Sequence, residues 1–227
     1  MFSVVIPIFN EEENIVLLIK EIKKSLKTYK NFELVFVNDC STDNSLKVLL
    51  DQKNFLDFKI INNEKNIGQS FSILSGIKNS KYNTIVTIDG DGQNNPYDIP
   101  KLIEYYFNNK NIFLVGGIRV KRKDSIIKII SSRIANNVRS KFLNDGCKDT
   151  GCSLKVFDKN IFLSFETFDG MHRFIPALFS GFGHKTFFLD VDHRKRKFGK
   201  SKYGTFLRLV NGIKDMIKVK KMINNKL

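Results

Sequence analysis

An α/β fold, with a mostly parallel central sheet and helices on both faces, is predicted by three features of the first 118 residues. Short apolar runs of strand length alternate with longer stretches of helical periodicity. Runs such as 3–9 and 84–88 are uncharged and mostly apolar at successive positions, as strands covered on both faces must be. Acidic residues, Asn and Gly gather where the runs end, at the edge where such sheets bind ligands.

Taken in order, 3–9 is the first strand. Asn10 is placed to cap a helix whose opening turn holds Glu11, Glu12 and Glu13, favourable at the positive end of the dipole. Ile15, Leu18, Ile19, Ile22 and Leu26 form its inner face. Residues 32–37 make a second strand, and 41–43 start a second helix with Ser41 as its cap. A strand at 58–61, a helix at 69–78, a strand at 84–88, a helix at 98–107 and a strand at 112–115 ending in Gly116-Gly117 complete this half. The second half is less regular. Ile127, Ile130, Ile134 and Val138 fit one helical face, with Arg133 and Arg139 elsewhere around it. Residues 145–157 read as a turn and a strand, 171–182 as a helix broken early by Pro176, and 187–191 as an edge strand. From about Tyr203 a basic amphipathic helix follows, with Phe206, Val210, Ile213, Ile217 and Met222 or Ile223 on its apolar side. No repeat or linker divides the chain, so a single domain over 1–227 is expected, with 1–118 and 119–227 as its two halves.

The 227 residues carry a net charge of +15, which points to a polyanionic partner. The excess is local: 118–141 hold eight basic side chains against one acidic, and 193–227 hold twelve against one. Two basic patches flanking a pocket fit this better than a nucleic-acid coat, for which no RRM-type or helix-turn-helix pattern exists either. Three cysteines, Cys40, Cys147 and Cys152, cannot all pair, and none sits at zinc-ligand spacing. No basic leader precedes the first strand and no run of 18 apolar residues occurs, so the expected setting is a reducing cytoplasm.

The strongest local signal is 84–93, where an apolar strand runs into Asp89-Gly90-Asp91 and then Gln93. Carboxylates at i and i+2 in a turn suit one hard divalent cation, Mg²⁺ or Mn²⁺, with Gly90 letting the backbone curl around it. An EF-hand is excluded, because Asn94 and Pro100 stand where Gly and Glu are required. Asp39 ends the second strand, where a base or ribose could be held, and Asn66-Ile67-Gly68 lets backbone approach a ligand. Neither a P-loop nor a G-x-G-x-x-G motif is present.

Together these residues resemble family 2 glycosyltransferases, and more closely the dolichyl- or polyprenyl-phosphate mannosyltransferases. The resemblance rests on Pro7 with Asn10 and Glu11, Asn38-Asp39 with Ser41 and Asp43, Asn66 and Gly68, and Asp89-Gly90-Asp91 with Gln93 and Pro96. It continues through Gly117 and Arg119, 149–152, 171–174, and His193-Arg194 with Arg196, Gly199, Ser201, Lys202 and Tyr203. It implies a GT-A (Rossmann-like) fold and an inverting, metal-dependent transfer of a hexose from GDP-mannose or a UDP-sugar to a polyprenyl phosphate. It also implies that Asp89, Asp91 and Gln93 hold the metal and Asp39 the base, with Pro7, Asn10 and Glu11 shaping the nucleotide pocket. Two departures stand out: Gly90 replaces a common Ala, and the acid usual near Met171 is missing from Asp169-Gly170-Met171-His172-Arg173.

The second departure bears on mechanism. A sugar hydroxyl needs a general base, whereas a phosphate monoester, with a second pKa of about 6, is ionised already. Cations must then hold the acceptor, and Arg119, Arg133, His172, Arg173, Arg194, Arg196 and Lys202 are the candidates for phosphate contacts, with Ser201 in 198–204, which reads as a loop folding over phosphates. The two basic helices are expected to rest on an anionic membrane surface, peripheral on its cytoplasmic face. Many relatives continue into transmembrane helices, and a small integral membrane partner would be compatible with their absence here. Two alternatives are a family 2 enzyme acting on a sugar hydroxyl with Asp149 or Asp169 as base, and a non-enzymatic basic module.

Overall fold

The computed structural model describes residues 1–54, 57–120, 126–198 and 205–225, and over 126–134 and 205–210 it describes backbone alone. The strands are β1 (Phe2–Ile8), β2 (Phe32–Asn38), β3 (Lys59–Asn62), β4 (Thr84–Thr87), β5 (Leu114–Val120), β6 (Lys155–Asp158) and β7 (Thr186–Asp192). They form one sheet in the order β3-β2-β1-β4-β6-β5-β7. Every neighbouring pair is parallel except those of β6, which runs antiparallel to both β4 and β5. Reversing twice through β6 restores the direction. The six parallel strands therefore end at one edge of the sheet, and β6 begins there.

The helices are α1 (Glu12–Ser25), α2 (Ser45–Lys53), α3 (Gln69–Lys78), α4 (Ile99–Asn108), α5 (Ile126–Leu143), α6 (Lys159–Ser164), α7 (Ile175–Gly181) and α8 (Thr205–Asn224). They build a core on each face. Val4, Ile6 and Ile8 of β1 pack with Ile15, Leu18 and Ile22 of α1 and with Leu102 and Ile103 of α4. Val5 of the same strand faces the other way, toward Ile73 and Ile77 of α3 and the core that α7 and Val219 of α8 complete. Burial on both sides is why these strands read as continuous apolar runs.

Several local expectations are corrected. Asn10 does not cap α1, which starts at Glu12. It adopts φ 52° and reaches across to the loop after β2, where its Oδ1 accepts from Thr42 N at 2.8 Å. Ser41 does not cap α2, which starts at Ser45; its hydroxyl accepts from Asn10 N. Residues 171–182 divide into a 3-10 turn (Met171–Arg173) and α7, with Pro176 in the first turn of α7, where its missing N–H costs no hydrogen bond. The six-residue α6 was not expected, although Asp158 caps it by accepting from Ile161 N.

The two basic helices also depart from their predicted faces. In α5, Val138 points outward and Arg139 is buried, because its guanidinium pairs with the buried Asp145 and donates to the Cys147 carbonyl. In α8, Ile213 and Ile217 are exposed, while Val219 is buried and Met216, Met222 and Ile223 pack on the core.

Candidate active site

Because the parallel strands end together, the loops after β1, β2, β4 and β7 and the entry to β6 meet at one edge. Asn10 and Glu11 follow β1, Asp39 follows β2, Asp89–Gln93 follow β4, Arg119 closes β5, and His193–Arg196 follow β7. The topology thus assembles most of the residues singled out from the sequence.

The acidic turn is held from several sides. Asp89 N donates to the Ser153 hydroxyl just before β6, and Asp89 Oδ1 accepts from Gln69 Nε2 at 2.7 Å. Burial pushes the Asp89 carboxyl up to about 6 and the neighbouring Asp91 charge adds to this, while the Ser153 hydrogen bond, Lys155 and Arg119 oppose it. Asp91 Oδ1 accepts from Gln93 N, which closes the turn. Gly90 serves by its size rather than by its torsion. A Cβ there would lie 2.5 Å from Ile8 Cδ1 and 2.9 Å from the Pro7 carbonyl oxygen, so only glycine lets the turn sit against β1. The positive φ of this loop, 70°, belongs to Gly92.

Asp39 is committed to its own loops. Oδ1 accepts from Asn63 Nδ2 and Ile67 N, and Oδ2 from Gly68 N, all at 2.9 Å. One acceptor position on Oδ2 remains. Asn66 reinforces the knot by donating from Nδ2 to the Asp39 carbonyl, and Gly68, at φ 83°, turns the chain into α3. The first residues of α3 then bridge the site: Gln69 reaches Asp89, while the Ser70 hydroxyl lies 2.7 Å from His172 Nδ1. His172 is thereby brought to the same edge as the acids.

The arginines behave differently from expectation. Arg119 forms a two-pronged pair with Asp149, Nε to Oδ2 and Nη2 to Oδ1, each 2.7 Å. Arg173 pairs with Asp215 of α8 at 2.7 Å. Arg194 pairs with Glu21 of α1 and donates to Asn95 Oδ1. Arg196 lies between Glu11, at 3.4 Å, and Asp91, at 2.5 Å. Every described arginine side chain, including Arg139 with Asp145, is therefore matched by a carboxylate. Exposed cationic character falls to lysines such as Lys195, Lys197 and Lys214. The Arg133 side chain, Ser201 and Lys202 lie outside the described residues.

Other contributors gave little signal in the sequence. Gln69, Ser70, Ser153, Asn94 and Asn63 are ordinary polar residues whose roles depend on contacts 9 to 102 positions away. Lys155 is more unusual. It is buried in β6 directly across from Thr87, donates to the Cys152 carbonyl, and has its ammonium pKa lowered by desolvation. Asp215 was the better clue, being the one acid among the basic residues of 193–227.

The donor set fits a hard divalent cation: two carboxylates and the Gln93 amide are all-oxygen ligands, on a turn that only glycine at position 90 permits. Among the described residues, no group of three or more His, Cys, Asp or Glu side chains is arranged to hold a metal. The remaining ligands would have to come from water or a bound diphosphate.

The profile of glycosyl transferase family 2 matches residues 3–165. Undecaprenyl-phosphate 4-deoxy-4-formamido-L-arabinose transferase of Pectobacterium atrosepticum is 33% identical over 220 residues, covering 95% of this chain and 66% of the relative. The enzyme of the same name from Proteus mirabilis is 33% identical over 218 residues, with the same coverage. The chain thus spans about two thirds of the length of these curated relatives, 66%. Among solved structures, glucosyl-3-phosphoglycerate synthase of Mycobacterium tuberculosis, crystallised with Mn²⁺, UDP and glucosyl-3-phosphoglycerate, superposes with a TM-score of 0.72. It is 16% identical, and the match covers 98% of this chain and 79% of that one. The same enzyme with Mg²⁺ and UDP gives a TM-score of 0.69 at 15% identity, covering 98% and 79%.

Proposed function

The chain belongs to glycosyl transferase family 2 and has the GT-A fold, and on that premise we propose that it moves a sugar from a nucleotide diphosphate sugar to a polyprenyl phosphate. The observation that carries the choice of acceptor is the Arg119–Asp149 pair. A carboxylate neutralised by a two-pronged guanidinium is a poor general base, so Asp149, one of the two acids that could serve as base, is unsuited to activating a hydroxyl. A phosphate acceptor needs no such base. Its oxygen attacks the anomeric carbon, the bond to the diphosphate breaks, and the electron pair leaves with the nucleoside diphosphate. One in-line displacement inverts that centre.

In this reading the first half, 1–118, binds the nucleotide and 119–227 the acceptor. The remaining acceptor position on Asp39 Oδ2 takes a base N–H, while Pro7, Asn10, Glu11, Asn66 and Gly68 form the walls of that pocket. Asp89, Asp91 and Gln93 would hold Mg²⁺ or Mn²⁺, which when bound stabilises charge on the departing diphosphate. His172, tied to Ser70, faces the acceptor phosphate together with the guanidinium groups of Arg119 and Arg173, which their carboxylates hold in place. The relatives' names support the polyprenyl phosphate and give 4-deoxy-4-formamido-L-arabinose as their sugar, so the mannosyl donor expected from the resemblance has no support among them.

Among the described residues no helix is long and apolar enough to cross a membrane. Instead α5 and α8 expose Val138, Phe142, Ile213 and Ile217 beside Lys141, Lys214 and Lys221. This is the pattern of a surface that rests on anionic lipid. The test is turnover with undecaprenyl phosphate and with neutral undecaprenol across a set of UDP- and GDP-sugars. Transfer to the phosphate alone, retained in Asp169→Asn, is the expected result. Loss of turnover in Asp169→Asn, with transfer to a sugar hydroxyl in wild type, would establish the base-dependent alternative.

A further inference from the structure

Arg196 is the only described arginine whose partner is one of the two acids of the Asp89–Asp91 turn. We propose that Arg196 is a built-in counter-ion of the donor site, neutralising Asp91 and Glu11 until a divalent cation takes Asp91 from it. Cation binding and release of the 195–198 segment are then one event. This rests on the reading that Asp89, Asp91 and Gln93 hold a cation.

The geometry supplies both halves of the exchange. Side chains of Asp91 and Glu11 are only 14% and 7% exposed, so leaving both carboxylates without a cation would carry a desolvation cost that the Arg196 guanidinium offsets. The guanidinium spans them, Nη2 to Asp91 Oδ2 and Nη1 to Glu11 Oε1. Asp91 Oδ2 is the oxygen that the turn does not use, since Oδ1 accepts from Gln93 N. A cation bound at Asp91 must therefore compete with Arg196 for the outward-facing oxygen.

The base of the segment stays fixed while its tip exchanges. Arg194 N donates to the Gln93 carbonyl at 2.9 Å, and His193 forms a bridge with Asn94. Arg194 is anchored on Glu21 and Asn95. Beyond it, Lys195, Lys197 and Phe198 are exposed, and Arg196 is the tether that holds this tip against the acidic turn. Once displaced, the guanidinium stays beside a site that has just acquired a cation and its diphosphate, and a diphosphate oxygen is the natural new partner for it.

The arithmetic follows from competition: the apparent cation affinity is the intrinsic affinity multiplied by the fraction of molecules in which Arg196 has left Asp91. A partly exposed pair of this kind, worth about 0.2–1 kcal/mol, implies about a two- to sixfold reduction. Arg196→Ala is therefore expected to bind Mn²⁺ more tightly than wild type by that factor, measured by titration calorimetry without nucleotide. The chain contains no tryptophan, so Phe198→Trp provides a single reporter on the tip. Its emission should change on adding Mg²⁺, which does not quench fluorescence as Mn²⁺ does, and the change should vanish in Phe198→Trp/Arg196→Ala. Equal or weaker Mn²⁺ binding by Arg196→Ala, or a reporter that ignores Mg²⁺, overturns the exchange while leaving the cation site standing. If neither wild type nor Arg196→Ala binds Mn²⁺, with or without UDP or GDP, the cation reading fails and the exchange with it.

Discussion

Replacing Gly90 by Ala tests how the acidic turn is built. The added methyl would meet Ile8 Cδ1 at 2.5 Å and the Pro7 carbonyl oxygen at 2.9 Å, both well inside contact distance. Ile8 is fully buried in the core that α1 and α4 share, so its side chain cannot simply swing aside, and the Pro7 carbonyl belongs to a central strand. Overpacking of this kind costs about 1–3 kcal/mol. In a chain of this size each kcal/mol lowers the melting temperature by roughly 2–4 °C, so Gly90→Ala should melt about 2–12 °C below wild type. Because the strain falls on the turn that carries Asp89 and Asp91, Mn²⁺ affinity should drop in parallel. The diagnostic step is Gly90→Ala/Ile8→Val, which deletes the nearer clashing atom. The double variant should recover part of the loss even though Ile8→Val alone costs about 0.5–1.5 kcal/mol. Differential scanning calorimetry with Mn²⁺ titration reads both quantities. A melting temperature for Gly90→Ala within 1 °C of wild type, or strictly additive losses in the double variant, would refute the claim that close approach to β1 dictates glycine here.

Three further outcomes follow from the charges around the site. Arg119→Ala leaves Asp149, whose side chain is 7% exposed, without its cation, and should cost about 3–5 kcal/mol by chemical denaturation; a loss below 1 kcal/mol would show the pair to be dispensable. Asp89 has its carboxyl raised from 3.8 to about 6, so the folded protein holds this proton more tightly than the unfolded chain and the group's contribution to stability declines as pH climbs through that interval. Cation binding needs the charged form, so Mn²⁺ affinity should grow across the same interval and level off above pH about 6; an affinity flat from pH 5 to 8 would contradict this. Lys155→Met removes a buried ammonium that favours the charged form of Asp89 and donates to the Cys152 carbonyl, so the pH midpoint of Mn²⁺ binding should move upward and stability should fall by about 1–3 kcal/mol.

The sheet was legible in the sequence because burial on both faces leaves continuous apolar runs, as in 3–9 and 84–88. Helix starts were harder to place. Asn10 and Ser41 are good caps by composition, yet each is engaged by the neighbouring loop, and that choice depends on β1 and β2 lying side by side. The six residues of α6 are too few for a period to show. In the site, the acids could be found because they terminate strands. The partners of the arginines could not: Arg196 and Glu11 lie 185 positions apart, and Arg173 and Asp215 lie 42 apart. The inward turn of Arg139, on what reads as the polar side of α5, follows from its pairing with Asp145.

That pairing changes what the net charge of +15 means for the site. Among the described residues the arginines are all matched to carboxylates and present no open basic cleft to a passing anion. The lysines give long-range attraction to an anionic surface, weak and screened by salt. The described arginines of the site, with geometry suited to phosphate, are held where an incoming group must compete for them. Discrimination by such a site lies in the exchange: an anion that cannot displace Asp149 or Asp215 from its guanidinium gains only the diffuse field. A phosphate or diphosphate, with several charged oxygens, can make the exchange and a neutral alcohol cannot. The internal ion pairs, which the residue count alone would class as a loss of binding capacity, therefore agree with the phosphorylated acceptor proposed above.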